Sequence, residues 1–287
     1  GLGDVYKRQV MDSVDARAAD EWLAKLAHEL DGRRPDYLVI SHMEPDHSGS
    51  ILRLAEKYQE MQLVGNAKTF TMLRQFFGAK APTDDRLLEV GEGETLPLGA
   101  HTLHFMLAPM VHWPEVMVAY EETEKLLFSA DAFGRFGVLS RTAAAPWAPQ
   151  ARRYYYNIVG KYGAQVQALL KKASALEIET ICPLHGPVLT GGALAEALRL
   201  YDLWSRWQSE APEEILLAHA SIHGNTARAA ELFKQKLEAA GARVTLCDLT
   251  ATEVSYAVAS AFYCGKLVLA CSTYDGGLFP PMEEFLT

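Results

Sequence analysis

The sequence predicts an α/β protein built as two successive domains, and three observations carry that prediction. From Val10 to about Gln208, short apolar runs alternate with amphipathic stretches, the pattern of sheet layers with helices outside. Near Ser209-Glu210-Ala211-Pro212-Glu213-Glu214 the composition turns polar and proline-bearing, which reads as a linker over 209–214. Beyond it the segments run strand, helix, strand, helix, strand, an order that implies a right-handed parallel sheet. A length of 287 residues agrees, since domains run to roughly 150 residues each.

Each element follows from local pattern. Within 15–30, Trp22, Leu23, Leu26, Ala27 and Leu30 fall at helical spacing and make one apolar face. Tyr37-Leu38-Val39-Ile40-Ser41 reads as a buried strand, and a helix is expected over 67–77. Leu87-Leu88-Glu89-Val90 precedes a turn built on Gly91, Gly93 and Gly99. Strands are expected at 100–107, 115–121 and 125–130, the last two joined through Glu122-Thr123-Glu124. A single helix over 152–175 and a strand at 179–182 complete this half. In the second half, strands are expected at 215–221, 244–249 and 266–272, with helices at 226–240 and 254–262. Gly1–Gln9 matches no periodic pattern and Met282–Thr287 reads as the opening of a helix, so the sequence is read as a fragment of a longer protein.

Composition removes several classes of function. Lys plus Arg number 27 against 36 for Asp plus Glu, a net charge of −9, which argues against a binder of nucleic-acid phosphates. No apolar run approaches the roughly 20 residues that span a bilayer, so no membrane partner is expected. Cys182, Cys247, Cys264 and Cys271 are scattered and form no Cys-x-x-Cys pair, which fits a reducing cytoplasm and neither a disulfide framework nor a zinc knuckle.

The strongest chemical signal is His42-Met43-Glu44-Pro45-Asp46-His47, directly after a buried strand. It offers four ligand-type side chains in six residues on a loop stiffened by Pro45. The bland alternative is a polar loop with a helix cap, because Asp46 and Ser48 are good capping residues. His112, Asp131 and His185 each stand where a loop leaves another strand, and their joint placement favours ligation. In the second half, Ser221-Ile222-His223-Gly224-Asn225-Thr226 runs from a strand into a helix, an arrangement that turns hydroxyls and N–H groups toward a phosphate. Tyr154-Tyr155-Tyr156, Trp204 and Trp207 read as packing, and His28, His101, His104 and His219 as surface or sheet residues.

Four ordered motifs, His42-x-Glu44-x-Asp46-His47, His112-Trp113-Pro114, Ser129-Ala130-Asp131-Ala132-Phe133-Gly134 and Pro183-Leu184-His185-Gly186-Pro187, resemble those of the flavodiiron proteins. The resemblance covers Val10 to Thr287. It implies a metallo-β-lactamase-like αββα sandwich over 10–208, lacking its first strands, and a truncated flavodoxin-like doubly wound parallel sheet over 215–287, lacking its third flavin loop. It implies one iron on His42, Glu44 and His112, a second on Asp46, His47 and His185, and Asp131 between them. The FMN loops are then Ser221, His223, Gly224, Asn225 and Thr226, and Ser272, Thr273, Tyr274, Asp275 and Gly276. The implied activity is reduction of dioxygen to water, of nitric oxide to nitrous oxide, or both, with electrons passing from a separate donor such as rubredoxin through FMN to a non-haem diiron site. A head-to-tail homodimer or a dimer of dimers is implied as well. Ala130 has no polar side chain, so any hydrogen bond supporting Asp131 must come from elsewhere.

Ligand chemistry points the same way. Hydrolases of the wider superfamily place a second histidine where Glu44 stands, which suits zinc. Three carboxylates with four imidazoles form a harder, anionic set that favours iron. Two rivals remain at this point, a binuclear zinc hydrolase and a flavodoxin-like electron carrier with a non-catalytic metal domain. Glu44→His is expected to shift metal content from iron toward zinc and to suppress redox turnover, checked by elemental analysis and an oxygen or nitric oxide consumption assay. Wild-type iron content with wild-type turnover would contradict it.

Overall fold

The computed structural model of the chain describes residues 7–142 and 145–287. Gly1–Tyr6, most of the aperiodic start, lies outside the described residues. The chain forms two compact units: the described residues up to Gly134 with Gln165–Leu198, and Arg135–Ala164 with Arg199–Thr287.

The first unit is built on two sheets. In one, β1 (Gln9–Met11), β2 (Tyr37–Val39), β3 (Gln62–Gly65) and β4 (Leu87–Glu89) lie side by side, all parallel. The other contains β5 (Thr95–Pro97), β6 (Thr102–Leu107), β7 (Met117–Glu121), β8 (Leu126–Phe128), β9 (Thr180–Cys182) and β10 (Leu189–Thr190), in the order β10-β9-β8-β7-β6-β5. β8 and β9 are parallel and the remaining pairs antiparallel. The strand expected over 100–107 is β6, and β5 precedes it as an antiparallel partner that was not expected, the chain reversing between them where Gly99 has φ +93°.

The strand period of two distributes the core. Leu38 and Leu63 pack with Ile51, Leu54, Phe70 and Leu73 on the helical side, whereas their neighbours Val39 and Val64 join Leu103, Phe105, Met117 and Ala119 between the sheets. The helical side is supplied by α1 (Ala19–Leu30), α2 (Pro45–Ser48), α3 (Ile51–Lys57) and α4 (Ala67–Phe77). Asn66 starts α4 by accepting the N–H groups of Lys68 and Thr69. α5 (Leu139–Thr142) and α6 (Trp147–Tyr154) belong to the second unit, and α7 (Gly163–Ala173) and α8 (Gly191–Ser205) follow. Lys172 of α7 donates to the Leu107 carbonyl at 2.8 Å and to Glu92 at 2.7 Å, tying a helix to the second sheet. The result is an αββα sandwich.

The single helix expected over 152–175 is broken. A π turn occupies Tyr155–Val159 and a 3₁₀ turn Gly160–Tyr162 before α7 begins. Gly160 and Gly163 weaken the helix, and a side chain at Gly163 would strike the Ser205 carbonyl. The aromatic residues here do pack: Tyr155 and Trp204 are buried, Trp147 stacks on Trp204 with ring centroids 6.0 Å apart, and Tyr156 stacks on Phe262 at 4.1 Å. Trp207 is 54% exposed, yet its ring also meets Phe262, with centroids 5.5 Å apart.

The second unit carries β11 (Ala211–Ala220), β12 (Val244–Asp248) and β13 (Cys264–Cys271) in the parallel order β12-β11-β13, with α9 (Asn225–Ala239), α10 (Val254–Tyr263) and α11 (Pro280–Leu286). A two-residue hairpin joins β14 (Thr273–Tyr274) to β15 (Gly277–Leu278). Its turn residues Asp275 and Gly276 have φ of +47° and +76°, as a tight hairpin of this twist requires. Residues 211–214, read from sequence as linker, open β11 instead. Ala211 pairs with Cys264, the register shifts before Ile215, and Pro212 sits in that irregularity. Gly265 permits the contact, because a Cβ there would collide with the Pro212 carbonyl. That pairing is non-local, which is why composition alone reads as linker.

Gly49 ends the short helix α2 that carries two of the ligand-type residues. A Cβ at this position would stand 2.7 Å from both Ala16 N and Pro45 O. Gly49→Ala is therefore expected to cost about 1–3 kcal/mol through overpacking against backbone. The check is the denaturant midpoint of the metal-free chain, and an unchanged midpoint would show that the approach of Gly49 to Ala16 N and Pro45 O is not tight.

Candidate metal centre

All seven ligand-type residues lie in the first unit and leave the carboxyl ends of four strands: His42, Glu44, Asp46 and His47 after β2, His112 after β6, Asp131 after β8 and His185 after β9. Their convergence follows from strand direction, since β6, β8 and β9 share one orientation in the second sheet. Glu44 is the residue before α2, Pro45 fixes the first turn, and Asp46 and His47 lie within that helix. Glu44 and Asp46 therefore face opposite parts of the centre although only one residue separates them.

The side chains form two groups, and within each group one ligand atom per residue lies within 4.8 Å of the others: His42, Glu44, His112 and Asp131, and Asp46, His47 and His185. His112 Nε2 is 3.1 Å from Glu44 Oε2 and 3.0 Å from Asp131 Oδ2, and His42 Nε2 is 3.3 Å from the same Glu44 oxygen. His47 and His185 present Nε2 to each other at 3.0 Å, and both approach Asp46 Oδ2, at 3.4 and 3.3 Å. The other oxygen of Asp131, Oδ1, lies 3.2 Å from His47 Nε2 and 3.6 Å from His185 Nε2. One carboxylate thus turns one oxygen to each group.

Electrostatics describe a cluster of carboxylates and imidazoles that shift one another against burial. Burial opposes a charge on His42, yet its hydrogen bonds to Glu115 and Glu44 and the nearby Asp131 raise its pKa from 6.5 to about 10. His47 is raised against the same burial, by Asp131 and then by Asp12 and Asp46. Burial also opposes the charge of Asp131, but His112 and His47 hold it well below the usual carboxylate range. Asp46 is lowered chiefly by its hydrogen bond from His185. Asp46 Oδ1 and Asp131 Oδ1 are buried without a well-formed hydrogen bond. Orphan carboxylate oxygens and imidazole nitrogens aimed at one another fit a pair of divalent or trivalent cations.

Three supporting residues escape sequence reasoning. Asp12 is buried, and its Oδ1 accepts the N–H groups of Ser41 and His42 at 2.8 and 3.1 Å; burial pushes its pKa up to about 6. Ser13 clamps the other end of the loop, donating to the His47 carbonyl through both N–H and hydroxyl, at 3.0 and 2.6 Å. Glu115 accepts from His42 Nδ1 at 2.8 Å and from the Met43 N–H at 2.9 Å. A signal for Glu115 exists in hindsight: it is a carboxylate directly before the fully buried run Val116–Tyr120. Beside Ala130 the turn itself is held rather than the Asp131 carboxylate: the Ser129 hydroxyl donates to the Ala132 carbonyl at 2.8 Å and the Gly134 N–H to the Asp131 main-chain carbonyl at 3.1 Å.

A family model described as ODP family beta lactamase matches residues 5–186. The chain belongs to that family. It is 27% identical over 283 residues to the rubredoxin-oxygen oxidoreductase of Megalodesulfovibrio gigas, covering 96% of this chain and 69% of that protein. To the nitric oxide reductase of Moorella thermoacetica it is 25% identical over 98% of this chain and 70% of the other. The crystal structure of the flavodiiron protein from Giardia intestinalis superimposes with a TM-score of 0.87 at 27% identity, over 97% of this chain and 68% of that one. The chain spans only 43% of the diflavin flavoprotein A 1 of Synechocystis, which it also resembles. These relatives identify it as a flavodiiron-family chain.

The second unit places its expected flavin loops together. Ser221 follows β11, and Ser272 follows β13. Thr226 and Ser272 share a hydroxyl hydrogen bond of 3.0 Å, and Ser272 N–H donates to the Ala220 carbonyl at 3.0 Å. Ser221 Oγ is buried and without a partner, and Gly224, at φ +83°, opens α9 without a side-chain cap. His223, Asn225, Thr273, Asp275 and Gly276 are exposed, as is Tyr274, whose ring lies 5.9 Å from Phe279. Loops at the carboxyl ends of adjacent parallel strands, with free helix N–H groups and an orphan hydroxyl, suit a phosphate.

Removing the carboxylate shared by the two groups is expected to unload one metal more than the other. Asp131→Ala should fall from about two irons per chain toward about one, as measured by elemental analysis, because the variant loses the one carboxylate whose two oxygens face both groups. Unchanged metal content would remove Asp131 from the bridging position.

Proposed function

We propose that the chain reduces dioxygen to water, nitric oxide to nitrous oxide, or both. The observation that carries the reading is Asp131, whose two oxygens face two separate sets of histidine and carboxylate. We assign His42, Glu44 and His112 to one iron, Asp46, His47 and His185 to the other, and Asp131 to both. Ser221, His223, Gly224, Asn225, Thr226, Ser272, Thr273, Tyr274, Asp275 and Gly276 are assigned to FMN. Residues 10–208 would carry the diiron function and 215–287 the flavin function. When bound, the iron pair supplies the electrons that reduce the diatomic substrate, and FMN relays electrons from an external donor.

The protein's own part is to hold charge in place. Asp12 and Ser13 fix both ends of the ligand loop, Glu115 orients His42, and the flavin loops offer hydroxyls and N–H groups to a phosphate. The donor we propose is a separate redox protein such as rubredoxin, in line with the name of the Megalodesulfovibrio relative. Among the described residues no helix is long and apolar enough to cross a membrane, and the four cysteines are free. We place the protein in the cytoplasm, as a head-to-tail dimer or a dimer of dimers, the arrangement implied by the family resemblance.

Damage to the phosphate loop should separate electron supply from chemistry. Ser221→Ala with Thr226→Ala removes two hydroxyl donors, each worth about 1.5–3 kcal/mol to a charged group. FMN affinity should fall at least roughly tenfold, since about 1.4 kcal/mol is already that factor, while iron content stays unchanged. Chemically reduced enzyme should still complete a single turnover with oxygen or nitric oxide, whereas steady-state turnover with a protein donor at low FMN should collapse and return on adding FMN. Normal steady-state rates without bound flavin would refute the relay.

A further inference from the structure

We propose, resting on the two-iron reading of the centre, that Glu115 is a positioning residue that makes the two metal positions unequal. It would tighten the hold on the metal at His42, Glu44 and His112 and lower the potential of that metal.

The Glu115 and His42 side chains are both fully buried, and Glu115 Oε1 stands 2.8 Å from His42 Nδ1, on the side of the ring away from the cluster. With Nδ1–H donated to Glu115, only Nε2 is free to ligate, and Nε2 is the atom directed at Glu44 and Asp131. Trp113 stands edge-on to the same ring, 5.2 Å between centroids at 89°, so the imidazole is confined on a second side. The carboxylate is itself fixed. Its Oε1 also accepts the Met43 N–H at 2.9 Å, and the Glu115 carbonyl accepts Asn66 Nδ2 at 2.6 Å, from the residue that caps α4. A carboxylate drawing on the distal N–H makes the imidazole a stronger donor, and a buried charge acts more on the near metal position than on the far one. Glu115 Oε2 is buried without a well-formed hydrogen bond, so the side-chain hydrogen bonds of this carboxylate are those that Oε1 accepts from His42 and Met43 of the ligand loop.

Two variants of the iron-loaded chain separate orientation from charge. Glu115→Gln keeps an oxygen acceptor of the same shape but removes the charge. One of the two one-electron midpoint potentials, followed by EPR during a redox titration, is expected to move to a more positive value while two irons remain bound. Glu115→Ala removes both effects, and chelator competition should then release one iron about 10–100-fold more readily and the other at its wild-type affinity. Unmoved potentials in Glu115→Gln, or equal weakening of both irons in Glu115→Ala, would reduce Glu115 to a structural cap of Met43 and overturn the inference. Should Glu115→Ala fail to fold, the potentials of Glu115→Gln decide. A wild-type chain that takes up no pair of irons would instead defeat the reading of the centre itself, and this inference with it.

Discussion

The constraint behind the first unit is the confinement of like charge. Glu44, Asp46 and Asp131 carry negative charge into a space shared with four imidazoles, each group of ligand atoms lying within 4.8 Å. Two carboxylates about 4 Å apart repel by about 4 kcal/mol at an effective dielectric of about 20, and burial enlarges that figure. Within the cluster the opposite charges offset one another: the carboxylates push His42 and His47 up, and the imidazoles hold Asp131 low. Cations at the two positions would satisfy the same carboxylates, and because ligating imidazoles must be neutral, metal binding and proton release are coupled.

Holding such a cluster requires backbone that cannot relax, and the surrounding architecture provides it. Asp12 and Ser13, just beyond β1, grip the ligand loop at Ser41, His42 and His47. Glu115 and Asn66 then connect that loop to the β6–β7 connection and to the start of α4. Asp12, Ser13 and Glu115 each bond directly to a residue of the candidate ligand loop, and Asn66 acts through Glu115. Seven side chains from four strand ends can meet only because the parallel first sheet and the mixed second sheet aim their carboxyl ends at the same place.

Where the structure brings together the residues that the sequence singled out, the signal was local. The ligand loop is one contiguous motif after one strand, and His112, Asp131 and His185 each mark a strand end, so both could be read from pattern. The βαβαβ order of the second half likewise yields the parallel sheet β12-β11-β13. What escaped was non-local. Asp12 is 29 residues from Ser41, and Glu115 is 73 from His42, so nothing beside either residue in the sequence announces its partner. The π and 3₁₀ turns after α6 depend on Ser205, which crowds Gly163 from a distant helix. Ala211–Glu214 looked like linker because only the pairing of Ala211 with Cys264 makes it strand.

The burial of the centre is uneven, and the unevenness has a chemical meaning. His42 and Asp131 are almost wholly enclosed, while the side chains of Glu44, Asp46 and His185 retain 35%, 40% and 34% of their exposure. The enclosed residues are those braced by Asp12, Glu115 and the Ser129–Gly134 turn, and they set the position of whatever binds. The half-open residues, one or two from each group, form the side on which a small molecule can approach without unpacking the core. A diatomic substrate needs little room and gains from meeting both groups at once. Bracing on one side and access on the other therefore follow from a single arrangement, in which Asp131 lies at the floor and the carboxylates of Glu44 and Asp46 flank the opening.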